Sequence, residues 1–163
     1  MVRKLTASGA PAGSATVGGN VTGIAIDGSG NAWVANGANL IELGSGLQIL
    51  GTLSAGSAPD GVAIDGAGNV WVTDFSGGGL YEFAPNRSLV QRFATGSGPV
   101  GVAIDGAGNV WVANSGANSV SEFASTAIGP EFFPYGGPAR SSGPSGRGAP
   151  ATKSCCRRAA RKT

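Results

Sequence analysis

The chain has 163 residues and a formal net charge of +2, with 12% charged residues and 30 glycines. This length suffices for one domain with a hydrophobic core, and 41% hydrophobic residues argue against a protein that is disordered throughout. The chain has no histidine, which excludes imidazole-based catalysis by its own residues. The adjacent Cys155 and Cys156 are too few for a tetrahedral zinc site, and we interpret them as incidental thiols, with intermolecular pairing or redox sensing as alternatives.

Residues 1–14 are predicted to be a flexible N-terminus. A short basic start is not followed by an apolar run of the length that a secretory signal needs. Residues 14–17 are a candidate outer strand of a unit that precedes the repeats. No segment approaches the roughly 18 apolar residues of a membrane-spanning helix, so we expect no membrane span, and the sequence indicates no compartment.

One sequence motif occurs three times along the chain. It reads GIAIDGSGNAWVAN at residues 23–36, GVAIDGAGNVWVTD at residues 61–74 and GVAIDGAGNVWVAN at residues 101–114. The starts are 38 and then 40 residues apart, which is a period typical of repeat architectures. We expect the repeats to occupy residues 15–130, with copies at 23–60, 61–100 and 101–128.

Each copy contains short apolar runs separated by glycine-rich turns. In the second copy these runs cover residues 61–65, 70–74, 80–83 and 89–93. Runs of four or five residues rich in valine, isoleucine and tryptophan favour strands over helices. Four strands in ~40 residues are typical of a β-propeller blade, so the sequence predicts an all-β partial propeller of about three four-stranded blades.

The repeat pattern ends within the third copy. Residues 119–123 match a third strand, but residues 128–137 contain no clean fourth strand. Residues 132–163 hold seven basic residues and no acidic one, whereas residues 1–131 hold nine acidic and four basic ones. We predict that residues 131–163 form a disordered basic tail. Two interpretations stay open: a non-native end, or a surface that binds nucleic acid or anionic membrane.

Two residue types recur at fixed places in every copy. The tryptophans are interpreted as packing anchors rather than as a ligand cage. They are Trp33, Trp71 and Trp111. The aspartates open an Asp-Gly-x-Gly-Asn loop, for which a capped hairpin turn is favoured over a calcium site because each loop has a single carboxylate. They are Asp27, Asp65 and Asp105.

The repeats resemble the NHL-repeat and streptogramin-lyase-like (virginiamycin B lyase-like) propellers. The signature there is roughly P-x-G-[IV]-A-[IV]-D-x-x-G-N-[VL]-W-V-[AT]-[ND], and residues 59–74 match it. The copy that starts at Pro99 has Val100 in place of Asp60, and the first copy lacks the leading proline. The resemblance covers about residues 15–127. It implies that three copies form an open arc with exposed edge strands, which favours self-association or a longer propeller.

The resemblance implies little about catalysis by this chain. Streptogramin lyases depend on histidine and on a metal site, and no position here can supply the histidine, so we expect no catalytic residue. Gluconolactonase-type propellers hold a divalent metal with acidic and asparagine side chains. Four residues could supply such oxygens or line a recognition face, because they vary at strand ends while the frame stays fixed. They are Asn36, Asp60, Asp74 and Asn114.

These observations favour a non-catalytic binding or scaffold module that is part of a larger propeller. The first alternative is a fragment of a streptogramin-lyase-like or lactonase-like enzyme whose catalytic blades are absent. The second is nucleic-acid or surface binding through residues 131–163, which is disfavoured for the acidic repeats themselves. No metal site or cofactor is predicted, although a divalent metal stays open. The ligand, whether protein or small molecule, is not indicated.

Overall fold

The computed structural model describes residues 1–124, so the predicted tail at 131–163 lies outside the described residues. These residues form thirteen β-strands and a short 3-10 turn at Ser115–Ala117. The strands are β1 (Val2–Leu5), β2 (Pro11–Ala15), β3 (Val21–Ile26), β4 (Ala32–Asn36), β5 (Asn39–Leu43), β6 (Ile49–Ser54), β7 (Pro59–Ile64), β8 (Val70–Asp74), β9 (Gly79–Phe83), β10 (Leu89–Ala94), β11 (Pro99–Ile104), β12 (Val110–Asn114) and β13 (Ser119–Phe123).

The strands form four antiparallel sheets, each of consecutive strands. Strands β3–β6 form blade 1, β7–β10 form blade 2, and β11–β13 are the described part of blade 3. Strands β1 and β2 form a separate two-stranded hairpin. The prediction of an all-β partial propeller with about three blades is therefore confirmed. Each blade begins two residues before the predicted copy, because Val21, Pro59 and Pro99 already pair with the second strand.

The N-terminal residues differ from the expectation of a flexible segment. Val2 pairs with Ala15 and Lys4 with Gly13, so residues 1–14 contain two strands and their turn. Contacts with blade 1 hold this hairpin. The Lys4 ammonium donates a hydrogen bond to the Ser45 carbonyl at 2.8 Å, and Val2, Ala15 and Val17 pack on the blade. The segment is rich in small residues, and its own composition does not reveal these tertiary partners.

The hydrophobic core lies in layers between neighbouring sheets. The layer between the hairpin and blade 1 contains Ala32, Val34, Ile41 and Leu43. The layer between blades 1 and 2 contains Trp33, Leu40, Ala55, Val70, Val72 and Phe83. The layer between blades 2 and 3 contains Trp71, Leu80, Val110 and Val112. Blades 1 and 2 are thus apolar on both faces, since a neighbour packs against each face.

Glycines allow the first strands of neighbouring blades to approach closely. A Cβ added to Gly23 would collide with the backbone oxygen of Asp60, and one added to Gly61 would collide with that of Val100. These glycines therefore set the spacing of β3, β7 and β11. Within residues 1–124, no helix is long and apolar enough to cross a membrane.

Candidate functional site

The Asp-Gly-x-Gly-Asn loops are built by the same hydrogen bonds in every copy. In the first, Asp27 Oδ1 accepts from the backbone N–H groups of Ser29 and Asn31, at 2.8 and 2.9 Å. Its Oδ2 accepts from the Asn31 amide and from the indole N–H of Trp33, both at 3.1 Å. The indole bond recurs at 3.1 Å from Trp71 to Asp65 and from Trp111 to Asp105. These carboxylates are occupied by N–H donors of their own loops.

Hydrogen bonding also changes the acidity of these carboxyl groups. Burial opposes ionisation of Asp27, but the bonds from Asn31, Trp33 and Ser29 together outweigh it and lower its pKa. At Asp105, the Trp111 indole, followed by Asn109, lowers the pKa to about 2. The turns at Asp27 and Asp105 therefore contain charged acceptors at neutral pH, and these hold the adjacent strands in register.

Asp74 ends β8 and is 1% exposed. Its carboxylate accepts from the backbone N–H groups of Ser57 and Ala58, at 3.1 and 2.9 Å, and from that of Gly77 at 3.1 Å. It therefore ties the loop that enters blade 2 to the loop that follows β8. Although the sequence offered Asp74 as a ligand, these contacts use it to join two loops.

Asn36 and Asn114 occupy the same strand-end position and are equally buried. The Asn36 amide donates to the Val17 carbonyl at 2.7 Å, and the Asn114 amide donates to the Ser121 hydroxyl at 2.9 Å. The side-chain oxygens of both asparagines are buried without a partner. These buried side chains therefore differ from that of Asp60, the fourth candidate, which is partly exposed.

Asp60 lines a cavity of about 280 Å³ between blades 1 and 2. The cavity opens at the end of the blades where each first strand begins and each second strand ends. Its walls are Asn20, Thr22 and Gly37 of blade 1, with Ala58, Pro59, Asp60 and Phe75 of blade 2. The Thr22 hydroxyl donates to the Pro59 carbonyl at 2.7 Å, which fixes the two blades beside each other at this cavity.

The cavity combines an acidic side chain with an exposed aromatic ring. Phe75 is 46% exposed, and no hydrogen bond occupies the Asp60 carboxylate within residues 1–124. A carboxylate beside an aromatic face suits a cationic or polar ligand. Sequence reasoning missed Phe75, although copies one and three have Gly37 and Ser115 at its place, and an aromatic residue unique to one copy was a usable signal.

Buried glutamates lie opposite the tryptophans in the third strands. Glu42 accepts from Arg87, a blade 2 residue, at 2.5 Å, and from the Asn31 amide at 3.2 Å. Glu82 has a buried Oε1 without a partner. Burial, followed by the nearby Asp65 charge, raises the pKa of Glu82 to about 6. Among residues 1–124, no three acidic, histidine or cysteine side chains are grouped to hold a metal ion.

Comparisons with known proteins identify the fold. No protein-family model matches the chain, and no curated protein matches it. Among solved structures, a catalytically inactive virginiamycin B lyase from Staphylococcus aureus with quinupristin superposes with a TM-score of 0.66 at 15% identity, over 76% of this chain and 45% of that one. A streptogramin B lyase gives 0.64 at 16% identity, over 75% and 44%.

Other solved structures are similar as well. A protein of unknown function from Bacteroides caccae gives a TM-score of 0.59 at 21% identity, over 76% of this chain and 49% of that one. A luciferin-regenerating enzyme gives 0.50 at 20% identity. The chain thus spans less than half the length of each of these structures. At these identities the likeness concerns the fold, which is that of the streptogramin-lyase-like β-propellers.

Proposed function

We propose that the chain is a non-catalytic binding module that forms part of a propeller and binds a small cationic group in the cavity at Asp60. The observation that carries this proposal is the difference among the four candidate residues. Asn36, Asp74 and Asn114 are buried, with side-chain groups bonded inside the repeats. Asp60 alone among the four lines an open cavity.

The cavity chemistry favours an amine or quaternary ammonium group. The Asp60 carboxylate supplies charge, and the Phe75 ring supplies a face on which a cation is stabilised by about 0.5–2 kcal/mol. Asn20 and Thr22 add polar atoms on the opposite wall. A cavity of about 280 Å³ is near the small end of ligand pockets, so we expect a small ligand or a single side chain rather than a large one.

Titration of the isotope-labelled chain with choline, followed by amide chemical shifts, tests this site. We expect shifts confined to the loops of Asn20, Asp60 and Phe75. Asp60→Asn should weaken binding about tenfold or more, as loss of the charge partner implies. The matched control is Glu122→Gln, which removes an exposed acid in blade 3 and should leave binding unchanged. Binding that is indifferent to Asp60→Asn would exclude the site.

A second candidate is a fragment of a lyase-like or lactonase-like enzyme. The similar structures include a virginiamycin B lyase and a luciferin-regenerating enzyme, which favours an enzyme-derived scaffold. Within this chain no histidine is present to act as a base. We therefore expect quinupristin incubated with the chain, with and without Mg²⁺, to keep its retention time in reversed-phase chromatography, which also separates a ring-opened isomer of the same mass. Time-dependent conversion that scales with protein concentration would replace the binding proposal with an enzymatic one.

Nucleic-acid or surface binding through residues 131–163 is a third candidate, and it concerns residues outside the described part of the chain. Seven basic residues in 132–163 favour it. Binding to a DNA duplex should then weaken steeply with salt and disappear when residues 131–163 are deleted. Equal binding by both forms would place any nucleic-acid contact in the repeats instead.

A further inference from the structure

The N-terminal hairpin has the geometry of the outer half of a blade. Residues 2–23 align without a gap on residues 40–61. The pairs Val2–Ala15, Arg3–Ser14, Lys4–Gly13 and Leu5–Pro11 become Leu40–Leu53, Ile41–Thr52, Glu42–Gly51 and Leu43–Ile49 when 38 is added to each number. The turns agree as well, since Gly9 and Leu47 both have positive φ, at 80° and 69°. Strands β1 and β2 therefore correspond to the third and fourth strands of a blade, and we call them the half-blade.

The half-blade leaves β3, the first strand of blade 1, largely uncovered. Ile24 and Ile26 of β3 are 52% and 62% exposed. Their equivalents in blade 2, Val62 and Ile64, pack in the same cluster as Trp33 of the preceding blade. Within residues 1–124, no first or second strand accompanies the half-blade, and thus no tryptophan lies there.

Within residues 1–124, the face of blade 3 that points away from blade 2 is also uncovered, and it complements the uncovered part of blade 1. Trp111 is 38% exposed and Val120 is 65% exposed, whereas Trp71 and Leu80 at the equivalent positions are fully buried. Gly101 also faces open space, its nearest neighbour being the Ala113 side chain of its own sheet. Within residues 1–124, β12 thus presents a tryptophan that covers no following blade, and β3 presents isoleucines that no tryptophan covers.

We propose that a second copy of this chain completes the half-blade: its β11 and β12 pair with β1 in place of its own β13. Trp111 of the second copy then covers Ile24 and Ile26, as Trp33 covers Val62 and Ile64. Reciprocal exchange gives two composite blades, which join two complete blades from each copy in a closed ring of six. The length agrees, because one chain spans 45% of a virginiamycin B lyase and two copies supply most of one such propeller.

The charge of the third-strand residue that pairs with the tryptophan favours this exchange. Blades 1, 2 and 3 have Glu42, Glu82 and Glu122 there, whereas the half-blade has Lys4. This position lies close to the turn aspartate, since the Asn31 amide donates both to Asp27 and to Glu42. In the composite blade, Lys4 therefore lies beside Asp105 of the second copy. The exchange thus brings a positive charge to a place where β13 supplies the negative charge of Glu122.

Light scattering on the full chain tests the proposal, and we expect twice the mass of one chain. Gly101→Ala should convert the dimer to single chains with an unchanged far-UV spectrum, because its Cβ would meet the Thr22 carbonyl of the second copy as a Cβ on Gly61 meets that of Val100. The matched control is Gly106→Ala, which changes an open turn position of the same sheet and should keep the dimer. A single-chain mass for the unmodified protein at all concentrations would overturn the proposal.

Disulfide trapping identifies the exchanged strand. With Cys155 and Cys156 replaced by serine, Val2→Cys with Ala113→Cys should link two chains, since these positions correspond to the neighbours Leu40 and Ala35. Ala113→Cys with Val120→Cys should instead link one chain internally and hold β13 in place, because these two residues are paired. This second variant should have the mass of one chain. A dimer that persists when β13 is locked would show that another surface associates. The exchange is independent of the ligand site proposed at Asp60.

Discussion

Blades 2 and 3 share twelve consecutive identical residues, GVAIDGAGNVWV, at 61–72 and 101–112. Both copies form the same hairpin, with the same indole bond of 3.1 Å to the turn aspartate. Their surroundings differ completely, since Trp71 is fully buried while Trp111 is 38% exposed. Identical sequence therefore fixes the local turn and strand pairing, whereas a neighbouring blade decides whether the same tryptophan becomes core.

Alanine substitutions of Trp71 and Trp111 should show the largest difference in stability between blades 2 and 3. Trp71→Ala removes a fully buried side chain and should lower the free energy of unfolding by about 3–5 kcal/mol. Trp111→Ala should cost only about 1–2 kcal/mol, because part of its surface already contacts water. Urea unfolding, at a concentration where light scattering shows single chains, measures both. Equal losses would mean that Trp111 is covered in solution.

Alanine at the two glycines tests the spacing of the first strands. Gly61→Ala places a Cβ against the Val100 backbone oxygen and should cost about 1–3 kcal/mol, because backbone has little room to move. Gly101→Ala meets only the Ala113 side chain, at 3.9 Å, and should change the stability of the single chain by less than about 0.5 kcal/mol. The same unfolding measurement applies. A large cost at Gly101 would show that a neighbour occupies the open face of the single chain.

The third-strand glutamates should give a smaller difference in stability between the blades, and this difference depends on pH. The pKa of Glu82 is raised from 4.5 to about 6, so the folded chain favours the protonated form. The stabilisation from this preferential protonation of Glu82 is complete below pH 4.5 and is lost as pH rises through about 6. Glu82→Gln should therefore stabilise the fold by about 1–2 kcal/mol at pH 7.5 and flatten the pH profile.

Two matched variants check that assignment. Glu42→Gln removes the partner of Arg87 and should destabilise the fold or leave it unchanged at pH 7.5. Glu122→Gln alters an exposed residue and should have little effect on the single chain. A Glu82→Gln variant whose melting temperature keeps the unmodified pH dependence would show that another group titrates between pH 4.5 and 6.

The repeat period and the turn residues were sufficient to predict the partial propeller, because strand pairing within a blade is local. The same reasoning placed Asn36, Asp60, Asp74 and Asn114 at strand ends but treated them alike. Their strand-end position is a property of sequence, whereas access to a cavity depends on which loop of a neighbouring blade lies above them. Among these four residues, only Asp60 lines the cavity with Phe75. Its role as a ligand residue stays a prediction.

The N-terminal hairpin shows the limit of local reasoning most clearly. Its correspondence to a third and a fourth strand is visible in the sequence only as a 38-residue offset with four identities. Leu5, Gly13, Gly18 and Gly23 match Leu43, Gly51, Gly56 and Gly61. Composition alone indicated flexibility. The sequence by itself determined the strands, the Asp-Trp turns and the spacing of the repeats, since these depend on contacts within about forty residues. Only the tertiary structure decided which faces are buried, because burial is a property of whatever lies next to a blade.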